Sequence, residues 1–222
     1  MRRLFVTAAV LPLLAFPGLA PADTSLGLRG GTLGGGVELS HAFGPRTGVR
    51  LNADGFNFSQ TSTYDNIDYD MKLKLQTVSL LGDWFPFASN FRVSAGAMFN
   101  GNKLALKGQP TGGFYTINGI PYNTAEVGSL DATVDFNKAA PYFGIGYGRA
   151  INRGLSLILD AGVMFQGSPK SRIDATCGAA IQGTPQCTQL QSDAQAEQSR
   201  LDESLHSFKY YPVISLGLAY TF

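Results

Sequence analysis

From Tyr210 onward the chain reads YYPVISLGLAYTF, in which Pro212, Ile214, Leu216, Leu218, Tyr220 and Phe222 are apolar or aromatic, while Ser215, Gly217, Ala219 and Thr221 between them are small or mildly polar. A period of two marks a strand with one greasy face. An aromatic side chain on the last residue suits a membrane edge better than water. A stretch of about ten residues, apolar on one side and small on the other, fits the closing strand of a transmembrane barrel.

The same alternation recurs upstream. Val49, Leu51 and Ala53 alternate with Arg50, Asn52 and Asp54. Met71, Leu73 and Leu75 alternate with Lys72, Lys74 and Gln76, and Val78, Leu80 and Trp84 continue the apolar side against Ser79 and Asp83. Phe91 to Asn100 places Arg92, Ser94, Met98 and Asn100 opposite an apolar face. Leu130 to Tyr147 reads as one continuing strand, and Leu155 to Phe165 is the most regular of all, with Ser156, Asp160 and Gln166 on its other face. Between Thr24 and Phe43 the apolar phase flips inside the glycine cluster Gly30 to Gly36, which means either one bulged strand or two strands joined tightly.

Short turns at 44–48, 88–90 and 150–154 alternate with long polar excursions at 59–70, 107–128 and 167–208, as short periplasmic turns alternate with long outer loops in outer-membrane barrels. The fold expected is all-β: an antiparallel up-and-down transmembrane β-barrel of eight strands, if the glycine cluster splits or an extra strand lies near 171–176. Residues 59–70 read as an exposed loop, and Asn118-Gly119 suits a hairpin turn. Trp84, Phe85 and Phe87 are expected in an interfacial aromatic girdle at the same rim as Phe222. In the last excursion Leu190, Ala194, Glu197, Leu201 and Leu205 follow a helical period, with Ser192 and Gln195 as a capping box. That short helix should lie on the barrel end or its loops.

Composition sharpens this picture. Residues 1–22 carry Arg2 and Arg3, an apolar stretch from Leu4 to Leu19 and Ala20-Pro21-Ala22, which together read as a secretory signal cut before Asp23. The barrel domain is then 23–222. Without Arg2 and Arg3, 15 basic residues face 16 acidic ones, a balance that calls for no nucleic acid. Charged residues are 15% of the chain and Gly numbers 27, low and high for a soluble domain, and both suit a wall with lipid on one side. Cys177 and Cys187, an even count in an exported chain, read as one disulfide. The glycine cluster lacks phosphate-loop spacing, the acids near 65–70 lack EF-hand spacing, and no cysteine or histidine set has metal-ligand spacing, so no cofactor or metal is expected.

On the inward face fall Glu38, Arg50, Asp54, Asp83, Arg92 and Asp160, with Asn52, Asn100 and Gln166. Charges of both signs in a narrow bore should pair and close it, because an unpaired buried charge is costly. Met98, Ile158 and Met164 are the candidates for an apolar lining. A catalytic dyad would need a histidine beside a nucleophile, and only His41 and His206 exist; Ser40 and His41, neighbours in a strand, point to opposite faces. No enzyme is expected. Lys72, Lys74, Lys103 and Lys107 near the outer ends are candidates for lipid phosphates.

The signal segment, the alternating strands from Val49 to Phe222 and the LGLAYTF ending resemble the small bacterial outer-membrane β-barrel proteins, the group that includes OmpA-type transmembrane domains, OmpW-type channels and opacity-type surface antigens. The resemblance implies an outer-membrane location among lipid and lipopolysaccharide. It also implies assembly through the barrel-assembly machinery, with Leu218, Tyr220 and Phe222 as the recognised ending. No cell-wall-binding domain is expected after the barrel. The expected role is structural or surface-interacting, with an OmpW-like narrow channel for small apolar molecules as the alternative and a lipid-modifying enzyme as a remote one. A monomer is expected.

Overall fold

The structure is a computed structural model that describes residues 23–64, 67–110, 113–151 and 153–222. The signal segment lies outside the described residues. Eight strands close into an antiparallel barrel: β1 (Thr24–Gly31), β2 (Gly34–Ala42), β3 (Thr47–Tyr64), β4 (Ile67–Trp84), β5 (Phe91–Asn100), β10 (Ala139–Tyr147), β11 (Gly154–Phe165) and β13 (Tyr210–Thr221). The circuit closes where β13 pairs with β1, Leu28 opposite Leu218. The glycine cluster is therefore a turn between two strands. Thr32 and Leu33 form it, and it is pinned to β13 by Thr32 Oγ1 donating to Pro212 O (3.0 Å) and Tyr211 Oη donating to Thr32 O (2.6 Å).

Along the eight-strand circuit the outward face is mainly apolar, and it turns polar only where β3 and β4 run on beyond their neighbours. Leu28, Leu39, Leu51, Leu80, Ile145, Leu157, Leu216 and Leu218 all project outward and, among the described residues, are covered by no second layer. Aromatic side chains collar one end: Phe43, Trp84, Phe87, Tyr147, Tyr220 and Phe222 are exposed there, and at the other end Phe165 meets Tyr210 edge-on at 5.6 Å. Phe85 departs from the expected girdle. It is 3% exposed and turns into the barrel, because it follows the end of β4 and the chain reverses there through Ala88, whose φ is +50°.

The long excursions are more ordered than their polarity predicts. Residues 59–64 and 67–70 are strand and not loop, with 65–66 outside the described residues: β3 and β4 each run 18 residues and pair through Thr61↔Asp70 up to Tyr64↔Ile67. Polarity there marks where the strands outgrow the apolar belt, not where they end. Leu130 to Tyr147 is likewise two strands. β9 (Val127–Asp135) precedes β10, and the break at Phe136–Lys138 separates an outer strand from a barrel strand. β6 (Lys103–Pro110) takes over from β5 along β4, and β12 (Lys170–Cys177) pairs with β9, so the extra strand near 171–176 exists but lies outside the eight-strand circuit. The wall thus rises on one side as β3, β4, β6, β9 and β12.

A hairpin of β7 (Phe114–Ile117) and β8 (Ile120–Asn123) turns at Asn118-Gly119, whose φ values of +54° and +78° are those of the tight hairpin turn expected. Helix α1 (Pro185–Leu205) begins earlier than its sequence pattern suggests. Thr184 is the N-cap and Pro185 opens the first turn, so Ser192 sits inside the helix and forms no capping box. At 21 residues it is also not short. Leu190 and Ala194 pack with Tyr115, Ile117, Tyr122, Val127 and Ile181 into a small outer core, flanked by Cys177 and Cys187, which form a disulfide with Cα atoms 5.6 Å apart.

Candidate functional site

The inward positions of the barrel strands meet in one charged cluster. Arg50 on β3 is 1% exposed; its Nε donates to Asp83 Oδ2 on β4 (2.6 Å), and its Nη1 donates to Glu38 Oε2 on β2 (3.2 Å) and Asp160 Oδ2 on β11 (2.9 Å). Its Nη2 donates to Ser94 Oγ (3.0 Å), which in turn donates to Asp83 Oδ1 (2.6 Å). Arg92 on β5 donates from Nη2 to both oxygens of Asp160 at 3.0 Å, and from Nη1 to Gly148 O at 2.5 Å. Room for that pair exists because residue 146 is a glycine: a Cβ there would lie 2.8 Å from Arg92 Nε and from Asp160 Oδ1.

Arg29 on β1 completes the cluster, with Nη1 3.3 Å from Glu38 Oε2 and Nε 3.1 Å from Asp54 Oδ1. In the orientation that satisfies both ends of its amide, Asn52 donates to Glu38 Oε2 (3.2 Å) and accepts from Arg29 Nη1 (3.2 Å) and Ser79 Oγ (2.9 Å). Three arginines and four carboxylates from six strands are thus interlocked. Sequence reasoning placed six of these seven charges inward and missed Arg29. The signal was present: Leu26 and Leu28 facing out put Ser25, Gly27 and Arg29 inside, but the phase flip at the glycines hid the register.

Layers on either side close the cluster in. On the loop side Leu33, Leu81, Met98, Ala140, Tyr142, Met164 and Val213 form a buried apolar layer. Met98 and Met164 therefore fill the bore instead of lining it. On the turn side, Phe85, Ala42, Ala150 and Ile158 are buried, and the Arg149 guanidinium lies 5.1 Å from the Phe85 ring centre while donating to Ala88 O (2.6 Å). A cavity of about 10 Å³ between this cap and the cluster, lined by Glu38, Arg50, Asp83 and Arg92, has room for about one water. Asn100 is buried, and Gln166, also buried, donates to Phe208 O (3.1 Å).

The remaining candidates lie apart from this cluster. Ser40 Oγ lies 2.6 Å from Ser25 Oγ, and His41 Nδ1 lies 3.0 Å from Thr24 Oγ1 with its ring edge-on to Phe43, so the two residues have separate partners. His206 caps the end of α1. Leu218, Tyr220 and Phe222 face outward on β13 and beyond it, and Phe222 N donates to Thr24 O (3.1 Å). Lys72, Lys74, Lys103 and Lys107 stand on the raised wall above the belt.

Outside the barrel a second polar knot ties α1 to the hairpin. Asp193, 4% exposed, accepts from Tyr122 Oη, from Asn118 Nδ2 (3.0 Å) and from Gln189 Nε2 (3.2 Å). Those bonds, Tyr122's first, hold its carboxyl below the usual range. Burial and then the bond to Asp193 push the Tyr122 hydroxyl up to about 12.

No family model matches this sequence, and no curated protein matches it. Among solved structures, Acinetobacter baumannii CarO aligns with a TM-score of 0.55 at 21% identity, covering 90% of this chain and 98% of that one. Acinetobacter baumannii CarO2 aligns at 0.54 and 20% with the same coverage. A major outer membrane protein from Thermus thermophilus aligns at 0.47 and 16%, covering 90% and 98%. At these identities the likeness to the first two is one of fold.

Proposed function

We propose that this chain is an integral outer-membrane barrel with a structural and surface-facing role, its bore closed by its own charged side chains. The belt of outward Leu, Ile, Val and Phe between two aromatic collars supports the bilayer, since a water-soluble monomer seldom leaves more than a few hundred Å² of contiguous apolar surface bare. The raised wall with its helix and hairpin is then the outer face, and the collar around Trp84 and Phe222 the periplasmic one. Export would follow cleavage before Asp23. Insertion would use the closing strand, with Phe222, Tyr220 and Leu218 read by the assembly machinery.

One observation carries the closure: Arg50, at 1% exposure, bonds acids from three other strands. Eight strands leave an interior that side chains fill, and here an apolar layer, an ion-pair layer and an aromatic cap fill it. The test is electrical. The refolded chain in a planar bilayer should show no discrete conductance steps, and proteoliposomes should not swell in small sugars or amino acids. Steady pore-like conductance from the unmodified chain would replace closure with a narrow conduit. Cell fractionation that recovers the chain with the inner membrane would remove the location.

A further inference from the structure

On the raised wall, Lys74 of β4 and Lys103 of β6 are direct partners across the two strands. Each stands three residues beyond Thr77 and Asn100, the last pair that β4 makes with β5, so both lie about 10 Å along the strands above it. Val78 and Leu80 face outward on β4 while Thr77 and Ser79 face inward, and the two-residue period carries Lys74 and Lys72 onto the outward side. They continue the apolar belt upward.

Like charges directly opposite on neighbouring strands are destabilising. Lys103 has one exposed acid in reach, Asp135 at 3.7 Å, which offsets little of that repulsion. Among the described residues Lys72 and Lys74 form no ion pair. The wider face shows the same bias. The row at Lys74 continues as Lys103, Asp135 and Lys170, three cations to one acid; the next row holds Lys72 and Arg172 and no acid. The row beyond, Asp70, Lys107, Asp131 and Asp174, reverses to three acids and one cation. Cations dominate on the belt side, and acids only farther along the strands.

We propose that Lys72, Lys74 and Lys103 form a binding site for the phosphate of an anionic lipid in the leaflet that surrounds the raised wall. Lys74 and Lys103 hold directly opposed strand positions, and Lys72 is two residues along β4, diagonal to Lys103, so three long flexible side chains on one face can converge on one phosphate. Bound phosphate converts their repulsion into attraction, and the apolar belt beneath receives the acyl chains. The site rests on the membrane reading above.

The probe is lipid A carrying both phosphates, against the same lipid dephosphorylated, each doped into phosphatidylcholine nanodiscs holding the full folded chain. The K72Q/K74Q/K103Q variant should retain at least tenfold less bisphosphorylated lipid A on purification, at roughly fivefold for each cation removed. Retention of the dephosphorylated lipid should be equally low for both chains. K107Q, whose lysine pairs with Asp131 at 3.5 Å in the acidic row, should behave as the unmodified chain. In discs without lipid A, K74Q should melt no lower than the unmodified chain because a repulsion is gone; with lipid A the unmodified chain should gain more. Equal retention by the triple variant, or equal retention of the dephosphorylated lipid by the unmodified chain, overturns the site while insertion leaves the barrel reading standing. A chain that never inserts removes both.

Discussion

Arg50 Nε and Asp83 Oδ2 lie 2.6 Å apart inside the barrel, with 1% and 3% of their side chains exposed. They come from adjacent strands, and both also reach Ser94, so the pair is a node of a network and not an isolated bridge. Its energetic character follows from burial. Desolvating such charges costs nearly as much as their attraction returns, yet removing one partner leaves the rest uncompensated.

Arg50→Ala should therefore be severely destabilising, by about 3–5 kcal/mol, because Asp83, Glu38 and Asp160 all lose a cation at once. The same arginine replaced by Met together with Asp83→Asn should recover part of that loss. Urea titration of the folded barrel in detergent, followed by the difference in gel migration between unheated and heated samples, measures both. A fully tolerated Arg50→Ala would mean that water already solvates the bore.

Phe85 and Trp84 are neighbours in sequence with opposite environments, 3% against 54% exposed. Phe85→Ala empties space beneath the cluster and frees Arg149 from the ring, and should cost about 3 kcal/mol or more. Trp84→Ala removes only contact with the surroundings and should change stability less. The same urea titration ranks the two variants; the reverse order would return Phe85 to the outer collar.

The contrast between these two residues shows where sequence patterning is informative. Period two read the barrel strands, their outward Leu and Val, and six inward charges, because lipid outside and a cramped polar bore inside impose opposite demands on successive residues. It failed where that contrast disappears. Phe85 follows the end of β4, where alternation no longer constrains direction. Ser59 to Tyr64 and residues 130–135 stand above the belt, where a strand can be polar on one face without ending, so strands there look like loop or merge with their neighbours. Ser192 resembled a cap only because Pro185, the real start, lies outside the apolar stripe of α1. The inward place of Arg29 needed the turn at Thr32-Leu33, which glycines on both sides disguised.

The Cys177–Cys187 bond closes a short loop, separation 10, beside the outer core. In the chain-entropy picture such a loop contributes about 2–3 kcal/mol, and here it bears on the first turn of α1 and the end of β12. Replacing both cysteines by serine should raise amide exchange in α1 and the β7–β8 hairpin and leave the barrel strands protected. Uniformly faster exchange in β11 and β13 would show that the outer core and the barrel unfold together.

Docking of α1 should also depend on pH at both extremes, through one pair of residues. The Asp193 carboxyl is held below its usual range by the Tyr122 and Asn118 bonds, so its contribution is present above the unfolded carboxylate pKa of about 3.9 and is lost as pH falls through the lower folded value. Tyr122 is an acid whose folded pKa is raised to about 12, so the neutral hydroxyl is favoured in the folded state. Its contribution is whole below the unfolded value of about 10 and is lost as pH climbs from there toward the folded value. Trypsin cleavage after Arg200, an exposed site in α1, reports detachment at alkaline pH, and amide exchange in the helix reports it at acid pH. Asp193→Asn should abolish the acid arm, because the amide oxygen accepts from Tyr122 without titrating, while Tyr122→Phe should abolish the alkaline arm and weaken docking at neutral pH. An acid transition that survives in the asparagine variant would assign it to the barrel's buried carboxylates instead.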